Sequence, residues 1–134
     1  MDSGDASFRP ILSKVLRERT GFGHREHLEL AWSYLQDDEF AIASQKMSDA
    51  IRHVVEAHGF PNRYHDTMTR CWVRLVALHH AHAPARTFDE FIDRNRDLLN
   101  RYLLRRHYSD ELLQAPAARA SWIPPDLVPL PQSV

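Results

Sequence analysis

The stretch Phe22-Gly-His-Arg-Glu-His-Leu-Glu-Leu-Ala-Trp-Ser-Tyr-Leu35 decides the fold. Leu28, Ala31, Trp32 and Leu35 recur at the spacing of a helix that buries one face. His24 falls in register with that stripe and His27 falls beside it. Both imidazoles therefore point inward or to the edge of the core. Two side chains three residues apart on one helix face can share an ion, as Glu-x-x-His pairs do in helical-bundle metal sites.

The same helical period runs outward in both directions. Before the stretch, Ile11, Leu12, Val15 and Leu16 mark a short helix over about 10–19, and residues 1 to about 9 read as a disordered lead. Thr20-Gly-Phe-Gly23 breaks that helix. After the stretch, Phe40, Ala43, Met47, Ala50, Ile51, Val54 and His58 stripe a helix over about 39–58. Gly59 and Pro61 supply its stop. A third helix over about 62–81 carries His65, Met68, Trp72, Leu75, Val76 and His79. Thr87-Phe-Asp-Glu90 is a capping box that opens a fourth, expected to reach about Leu104. Ser109 starts one or two further turns.

Five prolines, at 116, 124, 125, 129 and 131, then exclude a continuous helix, while Trp122, Ile123, Leu127, Val128 and Leu130 are too apolar for a free tail. That tail is expected to lie across the bundle or to cover a partner's surface. No strand alternation and no repeat is found. The pattern predicts an all-α chain: an N-terminal lead over 1–21, a compact bundle of four main helices over 22–114, and an extended Pro-rich tail over 115–134.

The 134 residues suffice for one core without staples, and a net charge of −1 gives no global pull toward nucleic acid or anionic membrane. No apolar run approaches the roughly 20 residues of a membrane span, and the first residues lack a signal-peptide order. The single cysteine, Cys71, excludes an internal disulfide framework and suits a reducing cytoplasm. The unusual number is nine histidines, which need an explanation by position.

Short connections make successive helices antiparallel. His24 and His27 open the first main helix, His58 closes the second and His65 opens the third. All four then meet at one end of the bundle. Imidazole ligates zinc, iron, copper and nickel, and three protein ligands with one open position mark a catalytic centre. The expected ligands of a divalent transition metal are His24, His27 and His65, with His58 as a fourth or a replacement. Glu26, Tyr34, Glu56, Tyr64 and Asp66 are candidates to orient the ligands or serve as a base. The competing interpretation is a hydrogen-bonded polar cluster without metal.

His79, His80 and His82 form a separate group. His79 is about 21 Å along the helix from His65, too far to join the first set. Histidines at a helix C-terminus also interact favourably with its dipole. His53 and His107 read as solvated or surface-packing residues. Trp32 and Trp72 read as core. Arg94, Arg96, Arg101, Arg105 and Arg106, interleaved with Asp89, Asp93 and Asp97, read as a solvated, ion-paired face. Cys71 sits beside the apolar stripe of the third helix, with no second cysteine and no basic neighbour on an obvious turn, which leaves a nucleophile open but unsupported.

The motifs His24-x-x-His-Leu-x-Leu-Ala-Trp32, Tyr64-His-x-Thr-x-Thr-x-x-Trp72 and Tyr108-Ser109 with Pro125-Asp-Leu-x-Pro-Leu-Pro131 resemble a group of small uncharacterised bacterial helical proteins. That resemblance spans residues 22–131 and implies no activity. A looser likeness is to DinB-type bundles, which hold a divalent metal with three histidines. It rests on helix count and histidines alone, and their later His-x-x-x-His pair has no counterpart around His65.

The sequence therefore leads to a small metal-binding protein, leaning to a metalloenzyme of unnamed reaction that acts on a small-molecule substrate through a three-histidine site. Nucleic acid and membrane are not expected partners, and a homodimer is compatible. The alternative is a non-enzymatic interaction or sensor protein that binds its partner through the C-terminal tail.

Overall fold

The computed structural model describes residues 7–18 and 22–131. Its α-helices are α1 (Arg9–Glu18), α2 (His24–Asp37), α3 (Phe40–Ala57), α4 (Asp66–His82), α5 (Phe88–Arg94), α6 (Asp110–Gln114) and α7 (Pro116–Ala120). Single 3-10 turns lie at Pro61–Arg63, Arg96–Leu99 and Leu103–Arg106. Among the described residues there is no strand, and no helix is long and apolar enough to cross a membrane. The chain is all-α and compact. Of the expected disordered lead, residues 1–6 lie outside those described, as do Thr20 and Gly21 of the expected break.

α2, α3 and α4 pack on one another, and α1 lies against α2. Leu28, Leu30, Ala31 and Tyr34 of α2 are fully buried, facing a core that includes Met47 and Ala50 of α3 and Cys71, Val73 and Val76 of α4. Each large aliphatic side chain so buried contributes about 1.5–3 kcal/mol relative to exposure. The segment before α2 belongs to this core as well. Phe8, Leu12 and Val15 are buried, and the Tyr34 hydroxyl donates to the Phe8 carbonyl at 2.6 Å.

Two helices differ in extent from the sequence pattern. The expected helix over 62–81 begins only at Asp66, because Pro61 starts a 3-10 turn and His65 is extended, at φ −138° and ψ 107°. His65 is thus the N-cap of α4, and its ring accepts from the Met68 N–H at 3.1 Å. The segment expected as one helix over 87–104 is α5 followed by two 3-10 turns. Asn95 ends α5. It is buried, leaves the helical region at ψ 51°, and donates its side-chain amide to the Phe91 carbonyl at 2.8 Å. α3 stops where its sequence says it should: Gly59 takes φ +81° and the Phe60 N–H returns to the Val55 carbonyl at 2.8 Å.

The last segment folds back over the bundle. α7 starts with Pro116 in its first turn, so this part of the tail is helical and packs on α4. Beyond it, Thr67 of α4 donates its hydroxyl to the Ser121 carbonyl and accepts from the Ile123 N–H. The Tyr108 hydroxyl donates to the Ile123 carbonyl at 2.6 Å. His107, expected at the surface, is buried and holds the chain from both sides: its Nδ1–H donates to the Val128 carbonyl, and its own carbonyl accepts from Leu127 N–H. Leu130 is buried at the end of this strap.

Candidate functional site

An open cleft of about 620 Å³ lies where the start of α2 faces α4 and the C-terminal layer. His24, His27 and His65 all line it. Met47, Ile51, Met68, Trp72 and Leu113 form much of its apolar wall. Its size is that of an ordinary small-molecule pocket.

The ring nitrogens of the three histidines are assigned by their partners, since a backbone carbonyl can only accept. His24 Nε2–H donates to the Leu98 carbonyl at 2.8 Å, which leaves Nδ1 as its lone pair. The ring meets Trp72 edge-on, with centroids 4.5 Å apart. His27 Nδ1–H donates to the Gly23 carbonyl at 2.8 Å, which leaves Nε2 as its lone pair, and the ring lies against Phe22. His65 is different. Its Nε2–H donates to the Leu113 carbonyl at 2.6 Å while its Nδ1 accepts from Met68. Both nitrogens are occupied, so in this arrangement His65 has no lone pair to offer a metal.

Burial lowers the pKa of all three histidines, with the carbonyl bonds opposing the shift. Arg101 lowers His24 further, and His24 does the same to His27. All three are therefore neutral near pH 7.

The remaining candidates lie elsewhere. His58 is exposed at the end of α3, bonds the Val54 carbonyl of its own helix, and does not line the cleft. Glu26 accepts from the Gly23 N–H at 2.7 Å and so anchors the start of α2. Glu56 is exposed on α3. Tyr34 is tied to Phe8. Tyr64 and Asp66 belong to a separate buried network: the Tyr64 hydroxyl donates to Asp66 Oδ1 at 2.5 Å, and Arg70 Nε donates to Asp66 Oδ2 at 2.9 Å. Losing water and facing that carboxylate push the Tyr64 phenol up to about 12. Among the described residues no group of three or more His, Cys, Asp or Glu side chains is placed to hold a metal ion.

Comparison with family models, with curated proteins and with solved structures found no match. The site's own geometry must carry the functional argument.

The cleft also holds four arginines outside the expected set: Arg63, Arg101, Arg105 and Arg119. Arg101 and Arg105 belong to the run that reads as an ion-paired surface. The 3-10 turns after α5 fold that run back toward α2, and nothing in the local spacing announces it. Of the other histidines, His79 bridges its own helix and Asp97, with Nδ1 at the Leu75 carbonyl and Nε2 at Asp97 Oδ2. His80 packs on Trp32 and Phe91. Cys71 is buried and its thiol is pushed up to about 12 by loss of water, which excludes a thiolate nucleophile at neutral pH.

Proposed function

We propose that the cleft is a small-molecule-binding site whose reactive groups are His24 and His27. One observation carries this reading: two neighbouring imidazoles are each fixed by a backbone carbonyl and each keep one ring nitrogen with no partner among the described residues, beside an apolar wall. Such a pair supplies two oriented, neutral proton acceptors at physiological pH. His65 serves the site from behind, by joining the start of α4 to the end of α6. The test is a fragment screen by ¹⁵N-resolved NMR on the full chain, repeated on Thr69→Trp, which fills the cleft. Hits should perturb His24, Thr69 and the Trp72 indole and vanish in the variant. Hits that survive the blockage, or that perturb none of these groups, refute the reading.

A second reading keeps the metal. The two unpaired nitrogens, three residues apart on one helix, favour a divalent transition ion held by His24 and His27, with solvent or substrate completing its shell. Such an ion would polarise a substrate oxygen or activate water. His65 does not fit the ligand set while both its nitrogens are bonded. Elemental analysis of untagged protein separates the possibilities. Metal lost in His24→Ala and His27→Ala but kept in His65→Ala supports a two-histidine centre. Metal lost equally in all three, with the fold intact, restores the three-histidine site.

A further inference from the structure

The charge of the cleft is one-sided. Four arginines line it against a single carboxylate, Asp110. Three of the four are already engaged. Arg119 donates to the Asn62 carbonyl at 3.2 Å, Arg105 Nε lies 3.6 Å from Asp110, and the Arg63 guanidinium covers the Phe60 ring. Arg101 is the exception: it lines the cleft, yet among the described residues it makes no hydrogen bond, ion pair or ring contact. Beneath it the wall is apolar, from Trp72 to Met68 and Leu113.

We infer that the cleft takes an organic carboxylate with an apolar body, the carboxylate on Arg101 and the body against Trp72, Met68 and Leu113. The inference rests on the cleft being a small-molecule site. A guanidinium presents two parallel N–H donors that match a carboxylate, and the one left uncommitted beside an apolar wall fixes the ligand's orientation. An uncharged ligand would leave Arg101 unpaired as the cleft loses water.

The experiment uses 4-phenylbutyrate and its neutral analogue 4-phenylbutyramide, titrated into the full chain with NMR readout at the Trp72 indole and the His24 ring. The acid should bind at least about tenfold more tightly than the amide, the worth of one charge-assisted pair. Arg101→Gln should erase that preference, and Arg101→Lys should restore part of it. Equal affinities for acid and amide, both perturbing Trp72, would overturn the carboxylate inference and leave the small-molecule site standing. Absence of any cleft perturbation by either compound at about 5 mM would overturn the inference, and the fragment screen would then decide the site itself.

Discussion

His65→Ala should act on stability and not on ligand binding, and its magnitude follows from two bonds. The substitution removes the N-cap acceptor of α4, worth about 1 kcal/mol. It strands the Leu113 carbonyl, whose Nε2–H partner is 2.6 Å away, at a cost of about 1–2 kcal/mol. It also empties part of a buried site, for about 1 kcal/mol more. The total is about 3–4 kcal/mol. In a chain of this length each kcal/mol lowers Tm by about 4 °C, so the variant should melt about 12–16 °C below wild type.

His65→Asn keeps a cap but not the reach to Leu113, and should recover about 1 kcal/mol. The pH dependence carries a sign. The folded pKa of His65 is lowered from its ordinary 6.5, chiefly because burial disfavours the charged ring, with Arg119 adding to the shift. Its contribution is therefore complete above pH 6.5 and is lost as pH falls from there through the folded value. Melts of His65→Ala should lose part of the wild type's acid destabilisation in that window. His24 and His27 shift in the same direction and sustain the remainder. A drop in Tm below about 3 °C at pH 7.5, with an unaltered acid slope, would refute the assignment of both nitrogens to structural bonds.

Two substitutions, a deletion and a labelling experiment also test the fold. Asp66→Asn breaks a buried carboxylate's bonds to Tyr64 and Arg70 and should cost about 2–4 kcal/mol in urea melts; a loss under about 0.5 kcal/mol would mean the network is solvated. Gly59→Ala meets no atom within 4 Å, so its expected cost of about 1 kcal/mol is wholly that of φ +81°, and an unchanged midpoint would contradict that backbone. Deleting residues 121–134 removes Leu130, Trp122 and the partners of Thr67, Tyr108 and His107, and should lower Tm by at least about 10 °C. A truncated chain that melts like wild type but loses a binding partner would favour the interaction protein. Cys71 should react with iodoacetamide only as fast as the chain opens, and rapid labelling of native protein would place it outside the core.

The helical stripes of α2 and α3 are legible because apolar spacing and burial coincide there, from Leu28 to Ala31 and from Met47 to Val54. The stop at Gly59 is legible because only a residue without Cβ takes that φ cheaply. His65 is harder. Its position four before Thr69 and seven before Trp72 imitates a stripe, yet the ring reaches backward to cap, a role usually filled by Ser, Thr, Asp or Asn. The break at Asn95 depends on one side chain competing for the Phe91 carbonyl, which composition does not reveal. The meeting of His24 and His27 in one cleft follows from one helix turn. The approach of Arg101 follows from turns more than seventy residues later, and long-range returns of this kind leave no periodic trace.

The strap formed by Ser121, Ile123 and Val128 has a consequence for how the chain reaches its native state. Thr67 finds its hydrogen-bond partners 54 and 56 residues later, and His24 finds its own 74 residues later. Synthesis proceeds from the N-terminus at about 5–20 residues per second. For several seconds the nascent α2, α3 and α4 can collapse together while the Thr67 face of α4 and the cleft wall lack their cover. Completion of the core then waits on residues 121–130, so a chain cut short before them leaves a bundle with an apolar flank still open to chaperones and proteases.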